Sequence, residues 1–193
     1  MELNPPEFLP LVIASDAQAD TAPTGGLLLW DPETDLRVGA WTSFDSEILR
    51  QWGYDRTDGV IAACEGAMLP LGLLEFATHV RNRKAFWFLD NSNGLYSHFK
   101  GNAKTAVQDR NVAIARIFCF HAKCQLWYEY VDSKSNWADG ISRLLSNDPW
   151  SKAHGFELHN FRCSSKWWAY TLDVLFPAVK QYVDRAYQSS VGK

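Results

Sequence analysis

The strongest constraint in this sequence is a pair of short, wholly apolar runs that each end in an aspartate. Residues 9–14 read Leu-Pro-Leu-Val-Ile-Ala and emerge at Ser15-Asp16; residues 85–89 read Ala-Phe-Trp-Phe-Leu and emerge at Asp90-Asn91. Runs without polar alternation suit strands buried on both faces, as in parallel sheets covered by helices. Between them residues 58–79 carry a helical pattern, with Asp58 near its start, apolar positions at Val60, Ile61, Cys64, Met68, Leu71 and Leu74, and Pro70 expected to kink or split it. Strand, crossover helix and second apolar strand should form a parallel pair. Asp16 and Asp90 would then leave the sheet at one carboxyl edge, where open α/β sheets place their ligands.

The remaining elements extend this unit. Residues 25–30 and 36–41 flank the turn-rich Asp31-Pro32-Glu33-Thr34-Asp35, so the first three strands read as an antiparallel meander. After the basic connector Arg81-Asn82-Arg83-Lys84 and the second apolar strand come a short helix (94–99) and a longer one (about 105–123, with Val107, Ile114, Ile117 and Phe118 inward). A fifth strand (125–131) follows, and then a last core helix containing Trp137, Asp139, Ile141 and Leu144, with Asn136 as its expected cap. The expected fold is therefore α/β: a five-stranded mixed sheet, meander plus parallel strands, flanked by helices. A core domain over residues 7–146 precedes a Trp-rich, partly helical extension over 147–193, which contains Trp167, Trp168 and an amphipathic pattern broken by Pro177. That extension suits packing against the core or contact with a partner, including a second copy.

Hydrophobic residues make up 47% of the 193, enough for a packed core. No apolar run nears the roughly 20 residues of a membrane span, and Met1-Glu2-Leu3-Asn4-Pro5-Pro6 does not resemble a signal sequence. A soluble intracellular protein, cytoplasmic or nuclear and without a membrane partner, is expected. The four cysteines form no Cys-x-x-Cys pair; Cys119, His121 and Cys124 are close in sequence but fall in a helical pattern where buried thiols are common. Nineteen basic against 22 acidic residues leave a formal charge of −3, which argues against holding nucleic acid by bulk positive charge.

Four acids sit where the pattern is otherwise apolar or constrained: Asp16, Glu65, Asp90 and Asp139. Singly, each has an ordinary explanation as a turn former, a solvated helix position or a cap. Brought together, they would repel and desolvate one another without a strong positive counter-charge. Mg²⁺ supplies that charge through hard oxygen ligands, and a pair of such ions can clamp both oxygens of a phosphoryl displacement. Two ions would bring the formal charge of −3 to +1.

The order of elements and the placement of Asp16, Glu65, Asp90 and Asp139 resemble the ribonuclease H fold with its acidic tetrad. The segment Asn136-Trp137-Ala138-Asp139-Gly140-Ile141-Ser142-Arg143 is similar to the Asn-x-x-Ala-Asp-x-x-Ser-Arg ending of reverse-transcriptase ribonuclease H domains of gypsy-type, DIRS-like and pararetroviral elements, and Asp90-Asn91 and Lys100-Gly101 also resemble that group. The resemblance covers about residues 9–145. It implies Mg²⁺-dependent cleavage, with Mn²⁺ as a substitute, of the RNA strand of RNA/DNA hybrids. It also implies a linked or associated polymerase domain as partner. By the same resemblance Asp16 bridges two ions, Asp139 serves the ion on the attacking side, and Glu65 with Asp90 serve the leaving side. Asn91, Asn93, Lys100, Lys104 and Arg83 are the candidate substrate contacts.

Two departures stand out. The loop Asp132-Ser133-Lys134-Ser135 lacks the His that many relatives carry there, and only residues 100–104 stand where cellular enzymes often insert a basic helix. Related chemistries fit less well: exonucleases of this fold carry Asp-x-Glu on the first strand, where this chain has Asp16-Ala17-Gln18, and transferases usually end on Glu, where this chain has Asp139. A non-catalytic scaffold of the same fold, contacting a polymerase complex through the Trp-rich tail, is the alternative.

Overall fold

The computed structural model describes residues 8–20, 22–54 and 60–191. Strands β1 (Leu11–Gln18), β2 (Thr24–Asp31) and β3 (Leu36–Ser43) form the antiparallel meander. A short helix α1 (Ser46–Gln51), capped by the Asp45 carboxylate, leads to α2 (Ile61–Glu75) and α3 (Ala77–Val80). The break comes at Phe76, not at Pro70, which sits inside α2; Asp58 lies outside the described residues. Strand β4 (Lys84–Leu89) pairs in parallel with β1. Helices α4 (Ser92–Lys100) and α5 (Ala106–Ala122) follow, and β5 (Gln125–Tyr130) adds in parallel to β4. Gly101, at φ 78°, ends α4 in the left-handed region that glycine reaches without strain.

The sheet has six strands where the sequence leads to an expectation of five, in the order β5-β4-β1-β2-β3-β6. After α6 (Asp139–Leu144) and α7 (Pro149–Ala153), β6 (Glu157–Asn160) pairs in parallel with β3. Its four residues, Glu-Leu-His-Asn, carry neither an apolar run nor a clear alternation, because an edge strand this short is largely solvated. The chain closes with α8 (Lys166–Ala169) and α9 (Leu172–Val191), which packs on α5 and α3 through buried Leu175, Val179 and Val183. No helix is long and apolar enough to cross a membrane among the described residues.

Strand periodicity divides the apolar residues between two cores. Leu11, Ile13, Leu27, Leu29, Ala85, Trp87 and Leu89 face α2, α5 and α9 in the main core. Ala14 and Leu28 face the other way, onto Ala138, Ile141 and Phe156. This double coverage is why β1 and β2 read as continuous apolar runs. Strand β4 departs from the expectation: Ala85, Trp87 and Leu89 are buried, but Phe86 is exposed and Phe88 half-buried, because no helix among the described residues covers that face. Two adjacent glycines let helices close on both faces of β2: a Cβ on Gly25 would collide with Met68 of α2, and one on Gly26 with Ile141 and the Ser142 backbone of α6. Gly26 pairs with Asp16, so the close approach of α6 occurs beside that carboxylate.

Candidate metal centre

The parallel register aligns Ala14 with Phe88, which brings Asp16 and Asp90, each two residues further on, to the same level of the carboxyl edge. Asp16 is itself a strand residue, because β1 runs on against β2 to Gln18 while its pairing with β4 ends at Ala14. Glu65 reaches this edge from α2. One carboxylate oxygen from each of Asp16, Glu65 and Asp90 lies within 4.8 Å of the others, the one His/Cys/Asp/Glu group of this kind among the described residues. Asp139, at the first turn of α6, lines the same open cleft, of about 470 Å³, but stands outside the tight triad. Its Oδ1 accepts from Nε of Arg143 at 2.8 Å, and Arg143 reaches on to Asp20 at 2.8 Å.

Hydrogen bonds from distant segments hold these acids. Asp16 is 5% exposed and accepts from the Ser142 hydroxyl of α6. The Ser142 carbonyl accepts from Thr24 Oγ1 at 2.6 Å, and Thr24 accepts from Gln18 at 2.6 Å. Asn136 does not cap α6; it donates to the Ser15 carbonyl at 3.0 Å and accepts from Ala138 N–H, tying the α6 approach to β1. Glu65 accepts from the Asn91 amide, whose oxygen caps α4 by accepting from Gly94 N–H at 2.9 Å. Asn91 therefore turns inward and holds a cluster carboxylate.

The electrostatics are unfavourable for three bare carboxylates. Burial pushes Asp16 up to about 7 against the pull of the Ser142 hydrogen bond, with Asp90, Asp139 and Glu65 adding repulsion. Burial also pushes Glu65 to about 7, opposed by Asn91 and reinforced by Asp90. The cluster either takes protons near neutrality or takes a cation.

The other candidate contacts separate into two places. Asn93, Lys100 and Lys104 line one open groove of about 650 Å³ together with Tyr96, Ser97 and Gln108. This groove includes Ala62, whose neighbour Ile61 lines the acidic cleft, so the two openings adjoin along α2. Arg83 is not at this edge. It precedes the six residues of β4 that Asp90 follows, about 23 Å away at 3.3 Å per residue, and makes two hydrogen bonds to Asp31.

Sequence patterns did not reveal Ser142, Thr24 or Gln18 as supports, although Ser142 belongs to the motif that carries the resemblance. His98 was also missed. It is 5% exposed on α4 and lies beside the Gly66 carbonyl, next to Glu65; burial holds it down to about 4, with that carbonyl opposing and the Arg116 charge adding. The only sequence signal was an i,i+4 spacing from Gly94 on the inner face of α4. Compared with protein-family models, curated proteins and solved structures, the chain gives no match.

Proposed function

We propose that this chain is a ribonuclease H-like, Mg²⁺-dependent endonuclease that cuts the RNA strand of RNA/DNA hybrids, of the reverse-transcriptase type found in retroelements. The observation that carries the reading is the convergence of Asp16, Glu65 and Asp90, from three separated elements, within 4.8 Å at the carboxyl edge of β1 and β4. The donor set fits the ion: all three are hard oxygen ligands, two of them with proton affinities raised by burial that a divalent cation would offset. Asp16, Glu65 and Asp90 would hold it, with Asp139 across the same cleft. Bound there, divalent ions supply positive charge for the phosphodiester oxygens and a more acidic water.

The chain's own residues do the rest. Ser142 and Asn91 fix the carboxylates from behind, so their orientation precedes binding. Arg143 holds Asp139 at the rim. The adjoining groove offers Lys100 and Lys104 to phosphates, and Asn93 and Ser97 to sugar hydroxyls, the groups by which RNA differs from DNA. The scaffold reading, with contact through the Trp-rich tail, draws no support from Trp167 and Trp168, which are buried against the core.

The test is cleavage of an end-labelled RNA/DNA hybrid in Mg²⁺. Product is expected from the parent and not from Asp16→Asn or Asp90→Asn. A folded parent that binds Mg²⁺ and never cuts would refute the proposal.

A further inference from the structure

Beside the carboxylates lies a second, partly enclosed space of about 10 Å³, lined by Ser15, Asp16, Glu65, Asp90, Asn91 and His98 together with Leu69 and Leu89. That is about the size of one water, and although the wall is largely apolar it carries the few polar groups that a buried water needs as partners. His98 faces it for a reason that begins in the sequence. Pro70 has no N–H, so the carbonyl four residues earlier, Gly66, loses its helical partner. His98 lies beside that carbonyl, which favours a proton on the ring. Its Nε2 is buried without a partner.

One partner suits both sides. The carboxylates, ionised around a cation, accept hydrogen bonds, and the buried Nε2 lacks a partner. Water both donates and accepts, so one molecule between them satisfies each.

We propose that this cavity is a site for one ordered water, and that His98, acting through that water and through Gly66, is a positioning residue for the Asp16, Glu65 and Asp90 cluster. The inference rests on reading those acids as cation ligands. His98 lies against Gly66, next to Glu65 in the chain, while Asn91 at the start of the same helix grips the Glu65 side chain. Helix α4 thus holds the cluster at two points, and its outer residues Asn93, Tyr96, Ser97 and Lys100 line the adjoining groove.

The experiment is calorimetric titration of Mn²⁺ into the metal-free full chain, with thermal melting of each variant. His98→Asn retains a donor near the Nδ1 position but has nothing at Nε2. It should melt close to the parent and bind Mn²⁺ about tenfold more weakly, the usual cost of losing a ligand's supporting partner. The pair Pro70→Ala with His98→Leu gives Gly66 its helical N–H back and removes the imidazole. It separates support of the carbonyl from support of the cluster, and decides the matter should His98→Asn fail to fold; the same tenfold loss is expected. Parent-like Mn²⁺ affinity in the folded variants overturns the role of His98. A parent that takes up no Mn²⁺ overturns instead the reading of the acids as ligands. A crystal structure should show one solvent peak within hydrogen-bonding distance of Nε2, and a dry cavity would overturn the water site.

Discussion

Asp31 and Asp16 are buried aspartates of one sheet, at opposite ends of the β1 and β4 pair, and the protein treats them in opposite ways. Asp31 receives two hydrogen bonds from Arg83, at 3.0 and 3.1 Å, and Arg83 also bonds the Leu9 carbonyl at 3.0 Å. Burial pushes the Asp31 carboxyl upward, but the Arg83 bonds and charge outweigh it and hold the group below its ordinary range. Asp16 has a serine hydroxyl in place of a guanidinium and three other acids nearby, and it rises to about 7. A buried acid kept for stability is paired. Leaving one unpaired beside two more is a standing cost that a bound cation would remove.

The largest effect should come from the unpaired end. Asp90→Asn is expected to lower hybrid cleavage on the order of 1,000-fold or more, as for other groups that act as a unit, measured by single-turnover gel assay. Breaking the paired end should do the reverse: Arg83→Met strands Asp31 and costs about 3 kcal/mol of stability by urea titration, while Mn²⁺ affinity stays at the parent value.

The third contrast is in pH. Asp16 and Glu65 have folded pKa values near 7, above their ordinary values of 3.8 and 4.5, so the folded state binds protons the unfolded chain releases. The stability they contribute is complete below those ordinary values and is lost as pH rises through 7. His98 runs the other way: held down to about 4, it contributes stability that is complete above its ordinary 6.5 and lost as pH falls through 4. Between about pH 6.5 and 8 the acids therefore dominate, and metal-free protein should lose on the order of 1 kcal/mol by thermal melting. Mg²⁺ should abolish that loss and Asp16→Asn should flatten it. The Asp31 pair, with its lowered carboxyl, gives way only at the acid end, as pH falls below 3.8.

The smallest effect belongs to the groove. Lys100→Ala and Lys104→Ala should each weaken hybrid binding a few-fold and reduce its salt dependence by about one phosphate contact, read by fluorescence anisotropy at several salt concentrations. A variant at Lys84, on the far end of β4, serves as the control.

Much of this was legible because it is local. The apolar runs before Asp16 and Asp90 revealed two strands, β1 buried on both faces and β4 on one, and the helical pattern between them implied the parallel pairing seen in the register of Ala14 with Phe88. Glu65 was legible as the one charge among apolar neighbours in α2. Strand β6 was not, since Glu157 to Asn160 lacks a period and forms only because β3 offers an open edge. Asn91 and Arg83 both read as substrate contacts because polarity shows in a sequence and direction does not. Arg83 turns to Asp31, 52 residues before it, and Asn91 turns to Glu65, 26 residues before it.

What the sequence determined by itself is the first five strands, the main helices between them and which acids leave the sheet together, because those follow from apolar runs and helical periods along the chain. Only the tertiary structure decided what each acid meets: Ser142 at Asp16, Asn91 at Glu65, Arg143 at Asp139, and His98 at the carbonyl that Pro70 left without a partner. Hydrogen-bond partners are chosen by proximity after packing, and residues far apart in the chain carry no mark of that choice until the sheet and its helices close.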